Sequence, residues 1–445
     1  MEIIQASIPL FFLLIAVELL FTRLGRRPFY RLNDSISDLS AGTLSQIAGI
    51  FTKLLLVAAF SWTTTHLSVR LLSPQLAWPD GAMFARGATG WTFHPMAILG
   101  WGAAFLAVDL AYYWFHRVSH EVNLFWAGHI VHHSSEEYNL SVALRQSALG
   151  GVLGWIFYVP LAALGMSVQQ FAVCYALNLI YQFWIHTRAV GRLPAWAEAV
   201  LNTPSHHRVH HGVNPEYQDR NYAGVLIVWD RWFGTFTPEV QEPVYGLTSP
   251  LRSWNPIWSQ VHHYVAIARN VRRADSWSDR WHMVFGAPAW RPQSLGGPVV
   301  LPTVDAKSFL KFDPSVAPAL ACYALVHFAL TIPAALWLLS NASMLTVWPL
   351  GAASFYVALS LTNVGGILEG RRWAFASEQA RLGALGAAAA VMFIQRAVPL
   401  WSAAVALFIC VASAVALWSQ RHAFILPSDE RMDVEHRSAL DFDAQ

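Results

Sequence analysis

The chain has 445 residues, of which 55% are hydrophobic and 13% charged, against about a quarter charged in ordinary soluble domains. Such a composition excludes a globule solvated mainly by water. A formal net charge of +2, with no strip of clustered basic residues, excludes a nucleic-acid partner.

Taken in order, apolar runs near the roughly 20 residues that a membrane-crossing helix needs lie at 4–22, 42–64, 97–115, 148–166, 168–186, 315–339, 343–362 and 397–418, with a weaker one at 382–395. They predict an all-α polytopic membrane bundle of eight or nine spans. The first run opens on Met1-Glu2 with no basic leader and no small-residue cleavage site, so it reads as a retained anchor. Arg23, Arg26, Arg27 and Arg31 follow it directly, and the positive-inside bias puts that loop in the cytoplasm. Segments 116–147 and 187–314 then also face the cytoplasm. Cys174, Cys322 and Cys410 fall singly inside apolar runs, which argues against a disulfide framework, an iron-sulfur cluster or a zinc ribbon.

Four blocks emerge. Residues 1–240 form a membrane-embedded block with polar insertions, 241–312 a Trp- and Pro-rich cytoplasmic or interfacial segment, 313–420 a second set of membrane helices, and 421–445 a polar tail. Within the second block, Ile257, Trp258, Val261, Val265 and Ala268 recur at helical spacing and end in Arg269, Arg272 and Arg273, the pattern of a helix lying in the membrane interface.

Histidine carries the chemistry. Ten of the 18 histidines fall between residues 116 and 211, more than twice what even scattering would place there. His116 and His120 stand four apart in HRVSH, His129 is followed at three and four by His132 and His133, and His207 likewise by His210 and His211; His186 stands alone and His206 adjoins the last group. Residues three and four apart share a helix face, so each group offers imidazoles to a common point, as one arm of a metal cage. By topology all these pieces lie on one side of the membrane, next to span ends. Eight or nine imidazoles exceed the needs of one ion, so two ions fit the count. Imidazole suits zinc, copper, iron and nickel alike. Zinc hydrolysis is disfavoured because His120-Glu121 does not continue into H-E-x-x-H, and iron redox chemistry is the better reading. Asp109, seven residues before His116 on the same helical face, together with Asn202 and His206, are candidates to orient ligand rings through their outer nitrogens; Glu121, beside His120, is a further functional candidate. His262 and His263 form an isolated pair and read as structural. A metal transporter would hold its ligands near the bilayer midplane, and a haem protein would need axial ligands on facing helices; neither matches.

The order HxxxH, HxxHH, lone His, HHxxHH resembles the fatty acid hydroxylase and sterol desaturase superfamily of membrane di-iron enzymes. Within it the likeness is to the alkylglycerol monooxygenases, carried by HRVSHE (116–121), HIVHHSSEEYNLSVALRQS (129–147), QFWIHT (182–187) and NTPSHHRVHHGVNPEYQDRNYAGVLIVWDRWFGTF (202–236). The resemblance implies that His116, His120, His129, His132, His133, His207, His210 and His211 ligate two iron ions, with His186 a ninth ligand and Glu121 a catalytic position. It implies activation of O₂, hydroxylation of the carbon beside the ether oxygen of a glyceryl ether lipid, and tetrahydrobiopterin as reductant. Another lipid of the superfamily, a sterol, fatty acyl, carotenoid or ornithine-lipid chain, is the alternative substrate. No Gly-rich dinucleotide motif or cysteine cluster supplies a fused electron carrier, so a separate donor is expected: a pterin, a ferredoxin or a cytochrome. Tyr112, Tyr113, Trp114, Phe115, Phe183 and Trp184 are candidates to line the lipid's route or to form an interface belt. An Arg-rich composition with few lysines points to a bacterial inner membrane.

Overall fold

A computed structural model describes residues 2–87, 90–300, 302, 304 and 309–424. From residue 425 on, the expected polar tail lies outside the described residues. Sixteen α-helices are described: α1 (Glu2–Leu24), α2 (Leu32–His66), α3 (Pro95–Glu121), α4 (Asn123–Ala127), α5 (Ile130–His133), α6 (Gly150–Ala163), α7 (Val168–Trp184), α8 (Ala195–Val200), α9 (Pro204–His210), α10 (Val228–Phe233), α11 (Pro256–Arg273), α12 (Trp277–Phe285), α13 (Pro318–Asn341), α14 (Val347–Leu368), α15 (Arg372–Ile394) and α16 (Leu400–Ser419). One small hairpin, β1 (Phe84–Gly87) with β2 (Gly90–Phe93), interrupts them. The all-α expectation holds.

Among the described residues, five helical segments are long and apolar enough to cross a membrane: Ala6–Leu24, Pro95–Glu121, Pro318–Met344, Val347–Leu368 and Leu400–Ser419; a sixth is Leu32–Leu71 if the 42° bend after Thr52 is counted within one span. These mark a multi-pass membrane protein, but they are fewer than the eight or nine expected. α6 runs only 14 residues, about 21 Å at 1.5 Å per residue, against a hydrocarbon core of about 30 Å. α7 is 17 residues long and buries Gln170, Asn178 and Gln182. α15 is long enough, but it carries Arg372, Glu378 and Arg381. Hydropathy of the sequence counted all three because it sees apolar content, not where α6 and α7 end or which charged side chains α15 carries.

The chain divides into two compact units. The first comprises Met1–Arg31, Ala48–Thr248 and His263–Leu310; the second comprises Leu32–Ile47, Ser249–His262 and the chain from Lys311. In the first unit α3 packs on α7 and α6, and α1 on α7. The buried stripe of α3 runs Ala97, Gly100, Ala104 and Val108, and continues two turns on as His116 and His120. One helical face therefore starts as an apolar packing surface and ends as an imidazole-bearing one. Its apolar half meets Phe60, Tyr158, Leu161, Met166, Phe171 and Cys174, with Phe60 stacked on Phe171 at 4.5 Å. α7 is started by a capping box in which Ser167 and Gln170 satisfy each other's backbone N–H groups. At its far end Phe183 stacks on Phe11 of α1 at 4.3 Å. This packing fixes the level at which His186 leaves α7.

In the second unit α13–α16 pack against one another around a buried polar knot. Arg381 grips Glu378 with two nitrogens, at 2.6 and 2.8 Å, while Asn363 and Tyr323 donate to the same carboxylate at 2.9 and 2.8 Å. A charge pair removed from water persists when its remaining hydrogen-bonding capacity is filled in this way.

Candidate metal centre

Nine imidazoles meet in the first unit as two groups. His116, His120, His129, His133 and His210 form one; His132, His186, His207 and His211 form the other; in each, the nearest ring nitrogens lie within 4.8 Å of one another. All are buried except the half-buried His129. The expected triplets are brought together, but each one divides. His129 and His133 serve the first group while His132 serves the second, and His207 and His211 serve the second while His210 serves the first. Every i,i+4 pair stays together and the i+3 residue goes to the other group. Successive helical residues diverge by about 100°, so the two neighbours in each His-His pair face different centres.

Local sequence sets these directions. α3 delivers His116 and His120 from one rigid face. α4 ends at Gly128, after which the short α5 turns the next three imidazoles inward. α9 is opened by Pro204 at its first position, where the missing N–H is harmless.

The outer nitrogens show what the inner ones must do. Nδ1 of His116 lies 2.7 Å from Tyr222 O, that of His132 2.9 Å from Arg145 O, that of His186 2.7 Å from Gln182 O and that of His210 2.9 Å from Arg220 O. A carbonyl only accepts, so each of these Nδ1 atoms carries the proton and each Nε2 presents a lone pair. His132 and His186 then face each other with Nε2 atoms 3.1 Å apart and no proton to share. Two lone pairs at that distance repel unless a cation sits between them. Nε2 of His120, His210 and His211 is likewise buried with no hydrogen-bond partner. The donor set therefore fits metal ions. Burial, reinforced by neighbouring imidazoles, holds His129, His133, His186, His207, His210 and His211 well below the usual histidine range, and burial holds His132 down to about 4. The rings are thus neutral, as ligation requires.

The other expected positions lie around the cage and not in it. Asp109 touches no histidine. Its Oδ1 accepts from Val225 N at 2.9 Å and Asn178 Nδ2 at 2.6 Å, and its Oδ2 from Leu226 N at 3.0 Å and Trp229 Nε1 at 2.8 Å. It pins the 222–226 turn whose Tyr222 carbonyl orients His116. Asn202 supports the same turn by donating to Ala223 O at 2.6 Å. His206 points away from both groups and meets Glu198 at 2.9 Å. Glu121 is exposed at the end of α3 and pairs with Arg117 at 2.8 Å. Phe115, expected as a lipid-route or belt residue, packs on Phe157 and Tyr158, and Tyr113 stacks on Phe233. His263, read as structural, lies 2.7 Å from Asn123 Oδ1.

Sequence reasoning missed several supports. Asp230 accepts from Tyr222 N and Ala223 N, both at 2.8 Å, and from Thr235 Oγ1 at 2.6 Å. Burial raises its carboxyl to about 6, while those three donors favour the charged form. Arg145, almost wholly buried, ties Val131 O and Ser134 Oγ at 2.7 and 3.0 Å while its own carbonyl orients His132. A backbone carbonyl has no residue-type signal. The charged Arg145 and Asp230, close to histidine groups in apolar sequence, do have one.

Two groups of imidazoles that could hold metal ions sit at the end of an apolar helix, and residues 101–235 match the fatty acid hydroxylase family. The curated alkylglycerol monooxygenase of Xenopus tropicalis is 37% identical over 372 residues, and that of Homo sapiens 38% over 374; each alignment covers 83% of this chain and 78% of the relative. The chain therefore belongs to the alkylglycerol monooxygenase family. The ornithine lipid hydroxylase OlsE of Rhizobium tropici is a more distant relative, 25% identical over 167 residues, 36% of this chain and 44% of its own. No solved structure gave a significant match.

Proposed function

We propose that this chain is a membrane di-iron monooxygenase that uses O₂ to hydroxylate the carbon next to the ether oxygen of a glyceryl ether lipid. The observation that carries the metal reading is the pair His132 and His186, whose inner lone pairs face each other at 3.1 Å while their outer nitrogens are committed to carbonyls. The family supplies the substrate class. Two iron ions bound here would supply the activation of O₂ that an inert C–H bond demands. The first ion would take His116, His120, His129, His133 and His210, and the second His132, His186, His207 and His211.

The chain's own residues do the rest. The carbonyls of Tyr222, Arg145, Gln182 and Arg220 fix each ring's tautomer and direction, which raises ligand basicity and holds the cage shape. Trp126 lies 5.0 Å from the ring of His120 and 5.6 Å from that of His133, shielding the first group from water. The hydroxylated carbon is a hemiacetal, which collapses to an aldehyde and glycerol. The electrons come from a separate donor, tetrahydrobiopterin on the family's pattern. The arginines after α1 favour a cytoplasmic cage by the positive-inside bias, and the proposed catalytic domain is residues 1–240.

The distant match to an ornithine lipid hydroxylase favours one second reading, the same chemistry on another lipid. Purified protein, assayed for iron and, with reductant and O₂, for aldehyde released from an alkylglycerol, decides between them, with His132→Ala as control. Iron with histidine-dependent aldehyde supports the proposal; iron without aldehyde moves the substrate to another lipid; a protein that binds no iron refutes the mechanism.

A further inference from the structure

A run of aromatic rings leads from the first histidine group to an exposed side chain. The Tyr222 ring lies 5.3 Å, centroid to centroid, from that of His120 and 6.0 Å from those of His116 and His210. Tyr113 follows at 6.2 Å from Tyr222, and Trp114 at 5.5 Å from Tyr113, both edge to face. Tyr222 and Tyr113 are wholly buried, whereas Trp114 is 38% exposed.

The two hydroxyls along this run differ. Arg117 Nη1 donates to the Tyr113 oxygen at 3.3 Å, and Thr235 Oγ1 lies 3.0 Å from that oxygen. Thr235 Oγ1 donates its only proton to Asp230 Oδ1 at 2.6 Å, so Tyr113 is the donor in its bond to Thr235. The phenolic proton of Tyr113 therefore heads a chain of two hydrogen bonds that ends on a carboxylate. Burial pushes that carboxyl up to about 6, which makes it a better proton acceptor than an ordinary aspartate. The Tyr222 hydroxyl, by contrast, is buried with no hydrogen-bond partner and has nowhere to send a proton. A neutral phenol gives up an electron readily only when its proton leaves as well. Tyr113 meets that condition, and Tyr222 can serve only as a bridge between Tyr113 and His120.

We propose that Tyr113 is a redox-active side chain that gives an electron to the first ion when no lipid is there to react, sending its proton through Thr235 to Asp230 and being restored by Trp114. The inference rests on the di-iron reading above. Reducing O₂ to two waters takes four electrons and four protons. Two ferrous ions supply two of the electrons, and in hydroxylation the C–H bond supplies the other two. Without lipid the run supplies them singly: Tyr113 passes one electron inward across Tyr222, its proton moves to Asp230, and an electron from Trp114 with the proton from Asp230 restores the phenol. Trp114, after losing two electrons, takes up water, releases two protons and becomes hydroxytryptophan. Oxidation is thereby directed onto an exposed indole and away from His120.

The test adds O₂ to anaerobically reduced, lipid-free, full-length protein in detergent, read by freeze-quench electron paramagnetic resonance and by peptide mass spectrometry. Wild type should give a transient phenoxyl signal and one added oxygen on Trp114. With iron content and thermal midpoint unchanged, Tyr113→Phe and Thr235→Val should each remove the signal and lower Trp114 oxidation roughly tenfold, while oxidation of His120 rises. Trp114→Phe should lengthen the life of the signal. Wild-type levels of Trp114 oxidation in both Tyr113→Phe and Thr235→Val would mean that a diffusing oxidant reaches the indole, and would overturn the run. A phenoxyl signal that survives Tyr113→Phe would overturn the choice of tyrosine, and loss of the signal in Tyr113→Phe but not in Thr235→Val would overturn Asp230 as the proton's destination. Iron-loaded wild type with neither signal nor modified Trp114 would overturn the inference outright, whereas wild type without iron would refute the metal reading on which it stands.

Discussion

Asp109→Asn is the sharpest probe of how the cage is held. The carboxylate is fully buried and accepts four hydrogen bonds, two on each oxygen. An asparagine keeps one acceptor oxygen and turns its amide toward the other two donors, leaving either the Val225 and Asn178 pair or the Leu226 and Trp229 pair unmet. A buried donor left unsatisfied costs about 1–3 kcal/mol, so the loss is about 2–6 kcal/mol, a large part of the roughly 5–15 kcal/mol that holds a domain folded. The turn it anchors also carries the Tyr222 carbonyl, 2.7 Å from His116 Nδ1. Loosening such an outer partner typically lowers metal affinity or activity about 10–100-fold. Iron per chain by elemental analysis and the thermal midpoint in detergent should therefore fall together, and added iron should recover part of both. A variant with full iron and a wild-type midpoint would refute the reasoning that this carboxylate supports the cage through the 222–226 turn.

Other expectations follow from single contacts. Gly224→Ala should weaken iron binding in an iron titration, because a Cβ there would lie 2.9 Å from the Tyr112 ring and 3.0 Å from both Asn178 Oδ1 and Asp109 Oδ1; unchanged affinity would mean the turn has slack. His132→Ala should leave the first group intact and reduce bound iron by about one ion per chain, with elemental analysis as the check. In α15, Glu378→Leu strands the Arg381 charge and should cost about 3–5 kcal/mol, whereas the double variant Glu378→Leu/Arg381→Met should recover most of it; thermal unfolding of both distinguishes a structural pair from an idle one. If the cage faces the cytoplasm, Ser278→Cys should react with a membrane-impermeant maleimide in inside-out vesicles and be protected in right-side-out ones, and the reverse pattern would invert the topology.

The cage was legible in sequence because its signal is covalent: H-x-x-x-H spacing survives whatever the tertiary fold does, and a 100° step per residue already separates His132 from His133. Which group received the i+3 residue also follows from that step, since i and i+4 point within about 40° of each other. Helical spacing puts Asp109 on the face of His116 and suggests that it orients a ring, whereas the structure joins it to the 222–226 turn, because spacing aligns Cβ directions and does not say what that turn brings across. The orienting partners of four of these imidazoles are backbone carbonyls, which every residue type possesses, so no sequence pattern could single them out.

The expected eight or nine spans exceed the five or six helices long and apolar enough among the described residues, for a related reason. An apolar run reports a preference for a dry environment, and a protein interior meets that preference as well as lipid does. α6 and α7 are apolar because they pack around Phe60, Tyr158 and Phe171 behind α3, and α7 can bury Asn178 and Gln182 because Asp109 and a neighbouring carbonyl receive them. A helix required to face lipid along its length could not carry those amides. The same two residues that make α7 a poor span make it a good support, holding the level of Asp109 on one side and, four residues past Gln182, of His186 on the other. Short, amide-bearing helices beside full-length spans are what lets the histidine groups sit at the end of α3.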